Sequence, residues 1–255
     1  AIIFVDEENK EKYLSYQQLE NLVNHFISIL YSNFKKKELF KSVIAIHSSA
    51  NLCSVISMLA CMKLGIPHCV IFNDLSREAI QIRCKLIKCK ILITSANNDS
   101  YIKKINPIKK HLKIKVLRFA NIKSKKLAIN FDEFFNKKNT SINYDYKFFK
   151  SNQTSFILFT SGSTGEPKGI VHSTGGYLVY SKFTCSKKFN ISKKTIILTA
   201  SDAGWINGHT YALYGPLSLC ATTIILEKPL SLLDENVLKK ILLQMKVNIL
   251  YLPVT

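Results

Sequence analysis

Three glycines, four hydroxyl side chains and one lysine fall within ten consecutive positions: Thr160-Ser161-Gly162-Ser163-Thr164-Gly165-Glu166-Pro167-Lys168-Gly169. Glycine lets a backbone turn tightly and bring its N–H groups against a ligand. Hydroxyls and an ammonium add donors for phosphate oxygens. The chemistry open to such a set is to wrap a polyphosphate. A Ser/Gly-rich surface loop is the alternative. An ordinary linker, however, needs neither the apolar run Phe156-Ile157-Leu158-Phe159 ahead of it nor a fixed lysine. The nucleotide loop that opens a helix with Gly-Lys-Ser/Thr is excluded. Here Pro167 precedes Lys168, Gly169 follows it, and Ile170-Val171 continues as a second extended segment.

A second candidate stretch is Ala200-Ser201-Asp202-Ala203-Gly204-Trp205-Ile206-Asn207-Gly208-His209, which follows a predicted strand at 195–199. Ligands in open parallel sheets bind at the carboxyl ends of strands. Trp205 is the only tryptophan in the chain. It is either core packing or a pocket wall, and the glycines on either side favour the wall. His172 is either a ligand contact or a hydrogen-bonded structural residue, with the second reading favoured. The other histidines and the seven cysteines are dispersed, with no Cys-x-x-Cys pair, so no zinc site or other metal site is expected.

The elements that must position these loops read as strands alternating with amphipathic helices. Strands are predicted at 1–5, 43–46, 69–72, 91–94, 195–199, 222–226 and 247–251. Between them lie helices with apolar stripes, such as Leu19, Leu22, Val23, Phe26, Ile27 and Leu30 after the capping box Ser15-x-x-Gln18. This alternation predicts an α/β fold of βαβ units, a parallel sheet with helices on both faces. The pattern weakens between 120 and 152. The predicted organisation is therefore a first α/β subdomain at 1–119, an irregular connection at 120–153 and a second α/β stretch at 154–255.

The 255 residues are 47% hydrophobic, enough for a sizeable core. No apolar run reaches the roughly 18 residues of a membrane span, and no secretory signal is visible. The net charge is +19, yet Arg77, Arg83 and Arg118 are the only arginines among 36 basic residues. Arginine is the preferred reader of phosphates and bases. The charge therefore reads as lysine-rich composition rather than a nucleic-acid footprint, and no nucleic-acid or membrane partner is expected. The cysteine usage fits reduced thiols in a cytoplasmic compartment.

The 160–169 loop resembles the Thr-Ser-Gly-Ser-Thr-Gly-x-Pro-Lys-Gly motif of the adenylate-forming (AMP-binding) superfamily. The 201–217 segment, ending Tyr214-Gly215-Pro216-Leu217, resembles the version of a second motif found in acetyl-/propionyl-CoA synthetases. The resemblance implies part of that superfamily's large N-terminal domain, with its C-terminal domain absent. It implies ATP, Mg²⁺ and coenzyme A as cofactors, with acetate or a similar small acid as substrate. It assigns the ATP phosphates to Thr160, Ser161, Gly162, Ser163, Thr164, Gly165, Lys168 and Gly169. The acyl pocket and thiol channel fall to Trp205, Ile206, Asn207 and Gly208. Mg²⁺ is expected chiefly on phosphate oxygens and water, with few protein ligands.

The family contacts the CoA phosphates through arginines shortly after the strand at 91–94. Here that place is taken by Lys103 and Lys104, which are equally readable as a solvated pair. No catalytic residue is expected within these 255 residues, and the chain by itself is expected to be inactive. The alternatives are a ligase for propionate or another small acid, and a non-catalytic remnant that binds nucleotide or nucleic acid.

Overall fold

A computed structural model describes residues 1–121, 127–136, 144, 148–160 and 166–252. The strands, in chain order, are β1 (Ile2–Val5), β2 (Glu11–Leu14), β3 (Ile44–His47), β4 (His68–Ile71), β5 (Ile91–Thr94) and β6 (Lys115–Ala120). They continue with β7 (Ala128–Asn130), β8 (Thr154–Thr160), β9 (Lys168–Ser173), β10 (Ile196–Thr199), β11 (Thr222–Leu226) and β12 (Ile249–Tyr251). The longer helices are α1 (Tyr16–Asn33), α2 (Leu52–Leu64), α3 (Arg77–Leu86), α4 (Thr174–Phe189) and α5 (Glu235–Gln244).

The chain forms two compact units. One comprises Glu20–Ser48 and Ile56–Thr174. Its sheet has the order β7-β6-β5-β3-β4-β8-β9, parallel throughout except for the final β8–β9 hairpin. β3, β4 and β5 are buried at every position. That is the demand placed on a parallel strand covered on both faces, and it explains the runs Ile-Ala-Ile, Cys-Val-Ile and Ile-Leu-Ile. Beneath α3, Ile80 and Cys84 join Ala45, Cys69, Leu92, Ile105 and Val116 in one apolar cluster.

The other unit comprises Ala1–Leu19, Ser49–Val55 and Gly175–Thr255. Its sheet has the order β12-β10-β11-β1-β2, with only β1–β2 antiparallel. Ile241 and Met245 of the α5 end pack on Ile3, Val5, Leu198 and Ile224. Cys185, Ile191, Ile197 and Ala221 form a second cluster, with Tyr211 and Ile249 against it.

The α/β class expected from periodicity is observed. The helix signals are observed too, because they are local. Ser15 N donates to Gln18 Oε1 (2.8 Å) while Gln18 N donates to Ser15 Oγ (3.1 Å), the reciprocal bonds of a capping box. Ser76 Oγ accepts from Ala79 N at the start of α3. Gly65 follows α2 with φ +66°, and Ile66 N donates back to Cys61 O (2.9 Å).

Neither unit is one continuous stretch of the chain. The strand at the N-terminus pairs with β2 but not with β3–β7. β1 pairs in parallel with β11, Ile2 opposite Thr223. Conversely β8, the strand that carries the candidate phosphate loop, joins the sheet of β3–β7 by pairing with β4, His68 opposite Phe156. Periodicity locates strands but says nothing about which distant strand will pair with them. β2, read from no alternating pattern in Glu-Lys-Tyr-Leu, is an addition. So is the helical run over 98–112, which includes a wide turn at Tyr101–Ile105. Part of the 120–153 connection lies outside the described residues; the part described holds β7 and a short helix, Phe131–Asn136. Among the described residues no helix is long and apolar enough to cross a membrane.

Candidate functional site

The first candidate element is the end of the β8–β9 hairpin. Its ladder runs Phe156–His172, Ile157–Val171, Leu158–Ile170, Phe159–Gly169 and Thr160–Lys168. Thr160 and Lys168 are therefore brought opposite each other as the last pair before the loop, and both are exposed. β8 runs parallel to β4, so the loop leaves at the carboxyl edge of the sheet, where ligands of open α/β sheets bind. The sequence-predicted residues Ser161, Gly162, Ser163, Thr164 and Gly165 lie outside the described residues. Gly169 sits against Phe159 and Ile157; an added Cβ would lie 3.1 Å from Ile157 Cγ2. The ring of His172 lies flat on Phe156 (centroids 4.5 Å apart, 18° between planes), and burial lowers its pKa. Its neutral, stacked ring fits the structural reading of this histidine.

The second element follows β10. Asp202 turns the chain: its Oδ1 accepts from Gly204 N (2.7 Å) and its carbonyl from Trp205 N (3.1 Å). Gly208 then comes back onto that same carbonyl so closely that any Cβ would overlap Asp202 O. Trp205 is 59% exposed and Ile206 37%, which rules out core packing for the tryptophan. Trp205, Ile206, Asn207 and Gly208 thus lie in one turn at the carboxyl end of a parallel strand. The turn runs into a wide helical segment, Gly208–Tyr214, in which Gly215 N reaches five residues back to Thr210 O. Wide turns of this kind are frequent at functional sites.

Sequence reasoning missed the groups that hold this turn from behind. His209 Nδ1 lies 3.2 Å from Trp205 O; a carbonyl only accepts, so Nδ1 carries the proton. Thr210 Oγ1 donates to Ile206 O (2.8 Å) and meets the Tyr177 hydroxyl of α4 at 2.8 Å. Burial raises the Tyr177 pKa, so the phenol stays protonated. A tyrosine and a threonine far apart in sequence give no local signal of such a bond.

The third element is the lysine pair, and the structure separates its members. Lys104 Nζ is half-buried and donates to Asn73 O (3.3 Å). The Lys103 side chain is 76% exposed and lies 4.0 Å from Asp99 Oδ2. Nearby, Arg118 of β6 lies over the Tyr101 ring at 4.3 Å and donates to Ala96 O from Nη2 (3.2 Å) and Nε (3.3 Å). This arginine is committed to the backbone and an aromatic face. At the ends of β3 and β5, buried His47 places Nδ1 3.0 Å from Thr94 Oγ1. Burial, aided by the Lys104 charge, lowers its pKa to about 4, so the ring is neutral at pH 7.

Among the described residues no group of three or more His, Cys, Asp or Glu side chains is placed to hold a metal ion. The described donors at the hairpin end are a hydroxyl and an ammonium, a set suited to an anion rather than a cation.

The profile of the AMP-binding enzymes matches residues 1–255. The chain belongs to the AMP-binding enzyme family. Among curated relatives, the acetyl-coenzyme A synthetase of Yersinia pestis (strain Pestoides F) is 34% identical over 261 residues, covering 96% of this chain and 39% of the relative. The acetyl-coenzyme A synthetase 2 of Debaryomyces hansenii is 38% identical over 244 residues, covering 89% of this chain and 35% of the relative. That of Cronobacter sakazakii is 32% identical, covering 96% and 39%. This AMP-binding chain therefore spans about two fifths of the length of the relatives it matches.

Proposed function

We propose that this AMP-binding chain is part of a ligase that activates a short-chain carboxylate, acetate in the first instance, through an acyl-adenylate to an acyl-CoA. The carboxylate oxygen attacks the α-phosphorus of ATP and pyrophosphate leaves. The CoA sulfur then attacks the acyl carbon and AMP leaves. No protein nucleophile is required, so catalysis is positioning and charge neutralisation. The observation that carries the reading is the Thr160–Lys168 pair at the carboxyl edge of a parallel sheet, in a chain similar to acetyl-coenzyme A synthetases over nearly its whole length.

In this reading Thr160, Ser161, Ser163, Thr164 and Lys168 steady the departing pyrophosphate, and the loop glycines permit its shape. Mg²⁺ on the ATP phosphates would supply charge screening beside Thr160 and Lys168. Trp205, Ile206, Asn207 and Gly208 wall the acid and the thiol channel. The CoA phosphates fall to Lys103 and Lys104, of which Lys104 also donates to Asn73 O. Buried thiols at Cys53, Cys61, Cys69, Cys84, Cys89 and Cys185 fit a reducing, cytoplasmic setting.

The test is acetate-dependent ATP–pyrophosphate exchange by the complete protein that contains this chain. Exchange with acetate, followed by CoA-dependent AMP release, supports the proposal. Exchange with no small carboxylate would sink it. The 255 residues by themselves are expected to give no exchange.

A further inference from the structure

The turn at 205–207 is gripped by two side chains from behind, and the protons can be placed. Thr210 O–H donates to Ile206 O, so the Tyr177 O–H must be the donor in the bond to Thr210 Oγ1. The direction is therefore Tyr177 to Thr210 to the Ile206 carbonyl. The Tyr177–Thr210 link is sheltered: both residues are buried, and the buried Ser181 hydroxyl, one helical turn on, lies beside the phenol. A threonine bonded to the carbonyl four residues back is common in helices and by itself means little. What sets this one apart is its second partner, a buried tyrosine on a different helix. Thr210 is also fixed through its backbone. Its carbonyl accepts from Gly215 N, and Gly215 is packed so closely by Thr210 O and Cys185 Sγ that no side chain fits there. The neighbouring carbonyl, Trp205 O, is held by His209.

We propose that the Tyr177–Thr210 hydrogen bond is a positioning clamp that fixes the Ile206 carbonyl, and with it the direction in which Ile206 and Asn207 are presented. Buried hydrogen-bond chains strengthen one another in a low-dielectric setting, and removing one member leaves its partner unsatisfied. Tyr177 and Thr210 are both buried. They act through the turn, and so on which acid the turn accepts. This last consequence rests on the acyl-pocket reading; the clamp itself does not.

The chain supplies its own reporter, since Trp205 is its only tryptophan and precedes Ile206. The experiment compares Tyr177→Phe, Thr210→Val and Thr210→Ser with the wild type in the complete protein, with any tryptophan outside these 255 residues replaced by phenylalanine, by Trp fluorescence anisotropy and acrylamide quenching. Circular dichroism and Tm confirm folding. The expected result is lower anisotropy and stronger quenching in Tyr177→Phe and Thr210→Val, with wild-type values in Thr210→Ser, which keeps the hydroxyl. Should Thr210→Val fail to fold, Tyr177→Phe decides alone. A folded Tyr177→Phe with unchanged anisotropy and quenching overturns the clamp.

In the complete protein, the same two variants are expected to reduce the acetate-over-propionate ratio of kcat/KM toward parity, out of the roughly 10–200-fold that one methylene commands. If Trp205 responds while acid preference stays fixed in an active enzyme, the clamp stands and the acyl-pocket reading falls.

Discussion

Thr160 and Lys168 face each other across the β8–β9 ladder as its final pair, and the candidate phosphate loop is what lies between them. The pairing fixes both stems of the loop on a sheet strand. It also sets the lysine at the loop's base, where a side chain can reach a ligand held above it. Lys168→Ala in the complete protein is expected to cut adenylate formation by about 10²-fold or more, the scale seen when one preorganised donor to a developing charge is lost. Stability should hardly move, because the side chain is exposed. ATP–pyrophosphate exchange alongside a thermal melt separates the two. An unchanged exchange rate would remove the loop from the active site.

His47 predicts a dependence of stability on pH. Its pKa is lowered in the fold to about 4 from an ordinary 6.5. Between those values the unfolded chain binds more protons than the folded one, so stability falls as pH drops from 6.5 toward 4. The stability associated with the neutral ring is present above pH 6.5 and amounts to about 3 kcal/mol at most. Urea unfolding at pH 7 and at pH 4.5 should show a smaller acid loss for His47→Gln than for the wild type. Equal losses in the two proteins would show that His47 is not the group responsible.

How much of this was legible beforehand follows from range. The Ser15–Gln18 box, the Ser76 cap and the Gly65 stop are each decided within four residues, and each forms as read. The glycines around Trp205 argue against core packing for it, and its side chain is indeed outside the core. The membership of β1 was not legible, since Ile2 pairs with Thr223, at the far end of the chain in sequence. Nor was the role of Thr210, whose hydroxyl meets Tyr177 from a different helix. The separate settings of the two lysines were not legible for a different reason. Its residues are adjacent, but in the wide turn at Tyr101–Ile105 one ammonium goes to a carbonyl and the other to an exposed carboxylate.

Asn51 does two jobs with one amide. Its Oδ1 accepts from Cys53 N (3.0 Å) and Ser54 N (3.2 Å) at the start of α2, while Nδ2 donates to Glu227 Oε1 (2.9 Å). Glu227 has its pKa raised, chiefly by burial and further by Asp6, Glu7 and Glu8, with the Asn51 bond opposing. Asn51→Ala should cost about 1–2 kcal/mol for the lost cap. It should also push the Glu227 pKa higher still. Denaturation at neutral pH measures the first effect and a carboxylate NMR titration the second. A Glu227 pKa unmoved by the substitution would show that the bond contributes nothing to the charge.

Ile206 predicts the acid preference. On the acyl-pocket reading its branched side chain occupies space that a larger acid would need, and it stands half in solvent at the turn rather than in the core. Ile206→Val removes one methylene from that wall. Propionate should gain on acetate in kcat/KM by about ten-fold, the lower end of what a methylene is worth in an apolar pocket. The gain is held to that end because the side chain is partly open to water and the void does not need to be filled. Measuring both acids on the complete protein settles the direction. A preference that moves toward acetate, or does not move, would place the acid elsewhere than against Ile206.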